Sequence, residues 1–261
     1  MHSAERARFI LETLKQRGFI SLRDLEKQLS ESLATIRRDL RQLENQGLVE
    51  RVRGGVKSTH DQVEIPNWTS SGVPFSENIQ RHRPQKQAIG RAAAKLCNPG
   101  EGVMIDGGST TLQMCPHLAG LNLQVLTNSL HIANALLTQP GTVVLLPAGQ
   151  VFSEQSIILS AAGDDGMPSF YAPRVFLGAA ALGSAGLMQA DIFLVASERR
   201  LIDRADEIIV MVDSSKFDGP SGHVVCSLEE IDIVITDSGI SAARIALLEK
   251  ANVRVIVASD F

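Results

Sequence analysis

A turn rich in glycine and hydroxyl groups carries the clearest chemical signal in the sequence. It follows the apolar run Val103–Ile105 and consists of Asp106, Gly107, Gly108, Ser109, Thr110 and Thr111, which we call the cradle. Glycines let backbone N–H groups turn toward a guest, hydroxyls add donors, and the start of a predicted helix adds a positive end. The cradle is a candidate phosphate site, although a plain glycine turn with a helix cap has the same composition. No Walker loop and no dinucleotide-binding glycine motif occurs there.

Polar groups also follow other predicted strands. The candidates for the rest of a ligand site are Thr127, Asn128, Gly149, Gly178, Asp213 and Lys216. Carboxyl ends of parallel strands share one edge of a sheet, where ligands bind. Lys216 can meet a second anionic group, pair with Asp106 or Asp213, or stay solvated. Glu198 and Arg200 lie on a predicted helix that can border the same cleft, although solvation is the commoner fate of such charges.

A second set of residues suits nucleic acid. At about 100° per residue, the leucine and isoleucine side chains of Leu33–Leu43 share one face of a predicted helix, and small and arginine side chains lie opposite. Arginine can clamp a guanine edge or neutralise a phosphate, and a small residue permits close approach. A solvated charged face has the same pattern, so periodicity leaves DNA binding open. The candidate DNA contacts are Ser32, Ala34, Thr35, Arg37, Arg38, Arg41, Arg51 and Arg53.

Short helices and a wing are predicted to position these residues. Ser3 caps a first helix that ends at Gly18, and Ser21–Asp24 resembles a capping box that opens a second helix. A tight turn at Ser30–Ser32 leads to the arginine-bearing helix, and Leu48–Val56 is predicted to form a small β-wing. Two short helices joined by a tight turn predict a helix-turn-helix.

From about residue 84, apolar strands alternate with helices. The predicted strands are Gly102–Asp106, Gln124–Thr127, Thr142–Leu146, Val175–Leu177, Glu207–Asp213, Ile231–Asp237 and Val253–Ala258. The predicted helices are Lys86–Leu96, Thr111–Leu118, Ser129–Leu137, Asp191–Arg204 and Ser241–Lys250. The alternation predicts an α/β domain with a mainly parallel, helix-covered sheet.

Charge and composition divide the chain into a head at 1–57, a linker at 58–82 and a body at 83–261. The head holds 12 basic and 8 acidic side chains, which leaves 13 basic and 21 acidic for the rest. A basic head on an acidic body suits a nucleic-acid-binding segment joined to a domain with another task. The linker contains Pro66, Pro74 and Trp68, and Trp68 packs either on its own chain or on a neighbouring domain or subunit.

Composition also argues against several protein classes. No run of about 18 apolar residues occurs and the start is polar, so we expect no membrane span, no signal peptide and a cytoplasmic protein. The cysteines Cys97, Cys115 and Cys226 lack metal-type spacing, and the six histidines are scattered. We therefore expect no metal and no cofactor.

The head resembles the helix-turn-helix of the DeoR family of regulators. The resemblance covers residues 3–57 and rests on Thr35–Leu40, Leu43-Glu44 and Gly47–Gly55, with Ser32 at the family's serine position. Glu31 stands where the family usually has valine. The resemblance implies a winged helix-turn-helix that binds double-stranded operator DNA.

The body resembles the sensor domain of the same family, so the resemblance spans residues 3–240. Its motifs are Lys86–Gly90, Asp106–Thr111, Val125–Ser129 and Val212–Lys216. The resemblance implies a fold related to ribose-5-phosphate isomerase and a phosphorylated sugar or sugar derivative that changes DNA affinity. By the same resemblance, the cradle would hold the phosphate or adjoining hydroxyls, and Asp213 and Lys216 would contact the rest of the ligand.

The body departs from the family pattern on the specificity side of the expected pocket. Pro147–Gly149 stands where a Gly-Gly pair is usual, and Gly178–Gly186 replaces a common Gly-Ile-Ser segment. Asn98–Glu101 and Asp213–Lys216 are more similar to one branch of the family, which implies a phosphorylated sugar acid or lactone as effector.

These patterns favour a ligand-responsive repressor of a carbohydrate-catabolism operon, acting as a homodimer or homotetramer on repeated half-sites. The alternative is a sugar-phosphate isomerase-like enzyme with a DNA-binding head, in which Asp106 or Glu198 is the base. Fold analogy alone does not carry that chemistry. An activator, or a constitutive DNA-binding protein without a ligand, is also compatible with the sequence.

Overall fold

The chain separates into two compact units, Met1–Thr69 and Ser70–Phe261. The computed structural model describes residues 6–7, 9–11, 13–14, 19–29, 31, 33–45, 48–52, 55–58, 75–159, 166–219 and 222–259. Most of the predicted linker lies outside the described residues, as do Ser3, Ser32, Arg53 and Trp68. The boundaries at residues 57 and 82 therefore stay predictions.

The first unit combines helices with a small antiparallel sheet. Its described residues between 6 and 14 are helical, and the next elements are β1 (Phe19–Ser21), α1 (Leu22–Leu29), α2 (Leu33–Asn45), β2 (Val49–Val52) and β3 (Gly55–Ser58). β3 pairs with both β1 and β2. The two short helices and the wing are confirmed. Ser21 stands directly before α1, as its predicted cap requires, but it also ends β1, a strand that the sequence did not predict.

The apolar face of α2 forms the core of the first unit, where Ile36 and Leu40 are fully buried. Asp39 on the same helix accepts a hydrogen bond from Arg6, with 2.7 Å between Arg6 Nε and Asp39 Oδ2. Arg6 Nη1 also lies 3.3 Å from Glu31 Oε1. These buried contacts hold α2 against the N-terminal helical residues and leave its opposite face exposed.

The second unit is an α/β fold. Its strands are β4 (Gly102–Ile105), β5 (Gln124–Leu126), β6 (Val143–Leu145), β7 (Gln150–Phe152), β8 (Ile157–Leu159), β9 (Ala172–Leu177), β10 (Ala181–Gly183), β11 (Gly186–Gln189), β12 (Ala205–Met211), β13 (His223–Cys226), β14 (Ile233–Asp237) and β15 (Arg254–Ala258). Its α-helices are α3 (Phe75–Asn78), α4 (Arg83–Ala94), α5 (Leu130–Leu136), α6 (Ile192–Ile202) and α7 (Ala242–Lys250). Its 3₁₀ helices are Thr111–His117, Ser214–Asp218 and Leu228–Glu230.

Seven strands form one parallel sheet in the order β15-β14-β12-β9-β4-β5-β6. Val103 and Ile105 of β4 face a core that includes α4 and α5, and Met104 between them faces a core that includes α6 and α7. Helices cover both faces because the strands are apolar on both sides. β12, β9, β4 and β5 are neighbours, so the segments that follow these four strands share one edge of the sheet.

Several short elements differ from the sequence prediction. The antiparallel β7–β8 hairpin and the antiparallel sheet β10-β11-β13 were not predicted, since strands of three or four residues give little periodic signal. The helix predicted over Thr111–Leu118 is a 3₁₀ helix over Thr111–His117. Pro116 inside it lacks the N–H that an α-helix would use. Among the described residues, no helix is both long and apolar enough to cross a bilayer.

Gly90 brings α4 against the segment that follows the cradle. A Cβ at this position would lie 2.5 Å from the backbone carbonyl carbon and oxygen of Gln113. α4 and the 3₁₀ helix Thr111–His117 therefore touch through backbone atoms, which requires glycine. Lys86 lies one turn earlier on α4, so this close approach also places Lys86 beside the cradle.

We expect Gly90→Ala to lower the free energy of unfolding by about 1–3 kcal/mol, because the added methyl group overpacks a backbone contact. Urea unfolding followed by circular dichroism measures the change. Gly183→Ala is the matched control, since a Cβ there meets only Met188 Cε at 3.6 Å. Equal stability of the two variants would contradict the close approach.

Candidate functional site

Side chains that follow β4 and β5, at the same edge of the sheet as the cradle, fix the shape of the cradle. The Gly107 N–H donates to Asn128 Oδ1 at 2.8 Å. The Thr111 hydroxyl lies 2.7 Å from the carbonyl oxygen of Asp106 and 3.0 Å from that of Gly108. Both donors, which the sequence suggested could face a guest, therefore shape the loop.

Three backbone N–H donors of the cradle are available to bind a ligand. Within the fully described stretch 75–159, the N–H groups of Gly108, Ser109 and Thr110 make no hydrogen bond. The side chains of Ser109 and Thr110 are buried, so the three N–H groups lie in a partly enclosed place. Adjacent unpaired N–H groups are typical of anion-binding loops.

Lys86 contributes a buried ammonium to the same place. Its side chain is 1% exposed, and Nζ donates to Ser109 Oγ at 3.0 Å, to the Asn78 carbonyl oxygen at 2.5 Å and to Asn78 Oδ1 at 3.2 Å. None of the described carboxylates forms an ion pair with it. Burial lowers the pKa of Lys86 to about 8, against the raising effect of Asp213. All three ammonium donors thus end on uncharged oxygens, and the charge lacks a counter-ion in contact.

Asp213 and Lys216 follow β12 and lie near enough to Lys86 to act on its charge. Both act electrostatically on Lys86: Asp213 raises its pKa and Lys216 lowers it. Asp213 is buried, and its Oδ1 accepts from the N–H of Ser215 at 3.2 Å and from the Ser215 hydroxyl. Asp213 Oδ2 has no hydrogen-bond partner. The structure therefore brings the cradle, Asp213 and Lys216 together, as the strand ends predicted, and adds Lys86.

A chain of buried side chains lies behind the cradle. Asn128 Nδ2 donates to Asp106 Oδ1 at 2.8 Å and lies 3.4 Å from Ser197 Oγ. Next to Asp106 is Glu198, whose Oε1 accepts from Gln189 Nε2 at 2.6 Å. Burial raises the pKa of Asp106 to about 6, and burial together with Asp106 raises the pKa of Glu198 well above its usual value. Both carboxyl groups therefore keep their protons to a higher pH in the folded protein than in the unfolded chain.

Glu198 corrects the sequence prediction, which gave solvation as the commoner fate of this residue. It is 2% exposed because β11 carries Gln189 over it, and β11 was not predicted. Arg200 on the same helix is half-buried and has no contact with the cradle among the described residues.

The remaining predicted site residues differ in their placement. Thr127 is buried, and its hydroxyl oxygen accepts from the Ser129 N–H at 3.1 Å. Gly178 follows β9 next to the cradle, with its Cα 3.9 Å from the place of a Cβ on Gly108. Gly149 is exposed in the segment between β6 and β7, and the described residues show no contact between it and the cradle.

Lys86 is the site residue that the sequence prediction missed. The signal was present, since Lys86 stands at the i position of the i, i+3, i+4, i+7 series that continues with Ile89, Gly90 and Ala93. That series is the buried face of α4. A lysine on a buried face needs a specific partner, which marks it as a candidate for a site.

The nucleic-acid candidates lie on the exposed face of α2 where they are described. Ala34, Arg37, Arg38 and Arg41 are exposed, and Thr35 is half-buried. Arg51 belongs to β2, and Ser32 and Arg53 lie outside the described residues. The described part of the chain also shows no group of three His, Cys, Asp or Glu side chains arranged for a metal ion.

The buried carboxyl pair predicts a pH-dependent stability. Raised pKa values mean that the folded protein binds more protons than the unfolded one, so the free energy of unfolding falls as the pH rises from about 4 through the folded pKa values. We expect Glu198→Gln to reduce this fall, measured as the change in melting temperature between about pH 5 and about pH 8. Glu249→Gln, at an exposed position, is the control. Parallel curves for Glu198→Gln and wild type would contradict the pairing.

Comparison with known proteins assigns both units. Residues 6–62 match the DeoR-like helix-turn-helix domain, and residues 81–238 match the DeoR C terminal sensor domain. The chain is 32% identical over 257 residues to the HTH-type transcriptional regulator UlaR of Shigella dysenteriae serotype 1, with 98% of this chain and 99% of the relative covered. UlaR of Escherichia coli K12 gives the same identity and coverage.

Solved structures show a weaker likeness. Ribose 5-phosphate isomerase A of Methanocaldococcus jannaschii has a TM-score of 0.38 and 16% identity, covering 51% of this chain and 53% of the isomerase. eIF2B delta of Chaetomium thermophilum has a TM-score of 0.38 and 19% identity, covering 53% and 50%. The family resemblance of the sequence is confirmed by the two matched domains and by the full-length relatives. The chain belongs to the DeoR family of transcriptional regulators, as a DNA-binding regulator with a C-terminal sensor domain and not as the isomerase-like enzyme of the alternative.

Proposed function

We propose that this regulator represses a carbohydrate-catabolism operon and that a phosphorylated sugar or sugar acid, bound at the cradle, lowers its affinity for operator DNA. The observation that carries the proposal is the buried Lys86 ammonium, which has no carboxylate in contact among the described residues and lies beside unpaired backbone N–H groups. A phosphate group supplies both the missing negative charge and several strong acceptor oxygens.

Each part of the site receives a role in this proposal. Gly108, Ser109 and Thr110 donate backbone N–H groups to the phosphate, and Lys86 and Lys216 supply positive charge. Asp106, Gly107, Thr111, Thr127 and Asn128 shape the loop, and Gly178 leaves room beside it. The unpaired Oδ2 of Asp213 accepts a hydrogen bond from a hydroxyl group of the sugar.

Gly149 has no role that its exposed position supports. The choice between a neutral sugar phosphate and a phosphorylated sugar acid or lactone rests on the family branch that the sequence resembles. The full-length similarity to UlaR supports that branch without naming an effector.

Operator binding is assigned to the exposed face of α2. Arg37, Arg38 and Arg41 are exposed on it, Arg51 belongs to β2, and Arg53, which lies outside the described residues, stays a candidate from the sequence. A single helix-turn-helix buries little surface, so we propose a homodimer or homotetramer on repeated half-sites. The effector acts by binding more tightly to a form with low operator affinity. A protein with this task works in the cytoplasm, where the operator lies.

We expect Arg38→Ala to weaken binding to the DNA upstream of its own gene by roughly 1–3 kcal/mol, because it removes a contact to a base edge. A gel-shift titration measures it. Lys95→Ala is the control, since it removes an exposed positive charge from the sensor unit. Equal affinity of Arg38→Ala and wild type would move the DNA contact elsewhere.

We expect Lys216→Ala to keep operator affinity and to blunt the response to effector, because it removes a positive charge beside the cradle. A thermal-shift screen with inorganic phosphate, sugar phosphates and phosphorylated sugar acids identifies the effector, since binding raises apparent stability. The gel shift is then repeated with it. Compounds that bind but never change operator affinity would contradict the sensor role.

A further inference from the structure

We propose that Asn78 is a latch on Lys86, and that an anion in the cradle displaces it. The inference rests on the proposed function, because it requires an anionic effector at the cradle. It adds the regulatory step: the effector and the segment Phe75–Asn78 compete for one ammonium group. Release of this segment transmits the binding of the effector to the residues that precede it in the chain.

The segment Phe75–Asn78 is attached to the sensor unit at its two ends. The Phe75 ring is buried and stacks on His131 with 4.3 Å between centroids and 7° between planes. Asn78 accepts from Lys86 Nζ with both its carbonyl oxygen and its side-chain oxygen. His131 belongs to α5, which follows β5, so both contacts lie near the strand ends that form the site.

The donors of Lys86 are all in use. An ammonium has three N–H donors, and here two go to Asn78 and one to Ser109. Ser109 belongs to the cradle, so an anion there can gain an ammonium donor by replacing an oxygen of Asn78. An anion adds Coulombic attraction to the ammonium that the neutral oxygens of Asn78 lack, so the exchange favours the anion.

The position of Asn78 in the chain gives the exchange a consequence. α3 is the first described element of the second unit, and residues 59–74 connect it to the wing of the DNA-binding unit. Loss of the Lys86 contact leaves α3 with the Phe75–His131 stack and the exposed Glu77–Arg81 ion pair. A helix of four residues cannot persist without tertiary contacts. The backbone amide hydrogens of the segment therefore exchange faster with solvent.

Hydrogen–deuterium exchange of the full-length protein tests the latch, with inorganic phosphate as the probe and chloride at equal ionic strength as the reference. We expect slower exchange in residues 106–113 and faster exchange in residues 75–82. Slower exchange in 106–113 without faster exchange in 75–82 would overturn the latch and leave the proposed function standing. No change in either peptide would overturn both.

Two substitutions of Asn78 give opposite expected effects on phosphate affinity, measured by calorimetry. Asn78→Ala removes one competing oxygen, so phosphate binds about threefold tighter or more. Asn78→Asp gives Lys86 an internal counter-ion, so phosphate binds at least about tenfold weaker. Asn134→Ala and Asn134→Asp, at an exposed position of α5, are the matched controls and stay close to wild type. Weaker binding by Asn78→Ala would show a merely structural role and overturn the latch.

Discussion

The Lys86 ammonium is buried, and its three hydrogen-bond partners are uncharged oxygens. Such an arrangement costs stability, and the lowered pKa of Lys86 reflects that cost. The rest of the sensor unit is arranged around it. Gly90 draws α4 onto the segment after the cradle, and β12 brings Asp213 and Lys216 to the same place. An anion relieves the cost, so part of the energy for binding is already stored in the unliganded fold.

The buried acids behind the cradle are compatible with an anion because burial favours their neutral forms. If Asp106 and Glu198 were both ionised, two negative charges would oppose Lys86 and Lys216. Burial and the neighbouring Asp106 favour the protonated form of Glu198, and Asp106 accepts a hydrogen bond from the amide of Asn128, whose oxygen accepts from the Gly107 N–H. The pair thus fixes the shape of the loop at a low cost in electrostatic repulsion.

The sequence predicted the elements that depend on local pattern and missed the contacts that depend on packing. The parallel sheet, the arginine face of α2, and the cradle with Asp213 and Lys216 at one sheet edge all follow from periodicity and strand ends. Lys86 lies on α4, which precedes β4 and follows no strand of the parallel sheet. Its place at that edge therefore depends on the close approach at Gly90. Glu198 looked solvated because the strand that covers it, β11, is too short to predict.

The groups of the site divide into those that give affinity and those that can give a response. A ligand shifts a conformational equilibrium only through a difference in its affinity for the two forms. The N–H groups of Gly108, Ser109 and Thr110 are unpaired in this structure, so under the proposed function they add affinity without displacing a contact. Lys86 differs, because under the proposed competition its donors serve Asn78 in one form and the effector in the other. A nearly complete switch needs about a 10⁴-fold preference, which one exchanged hydrogen bond cannot supply. Under the proposed function, Lys216 and the contacts to the sugar therefore share in the response.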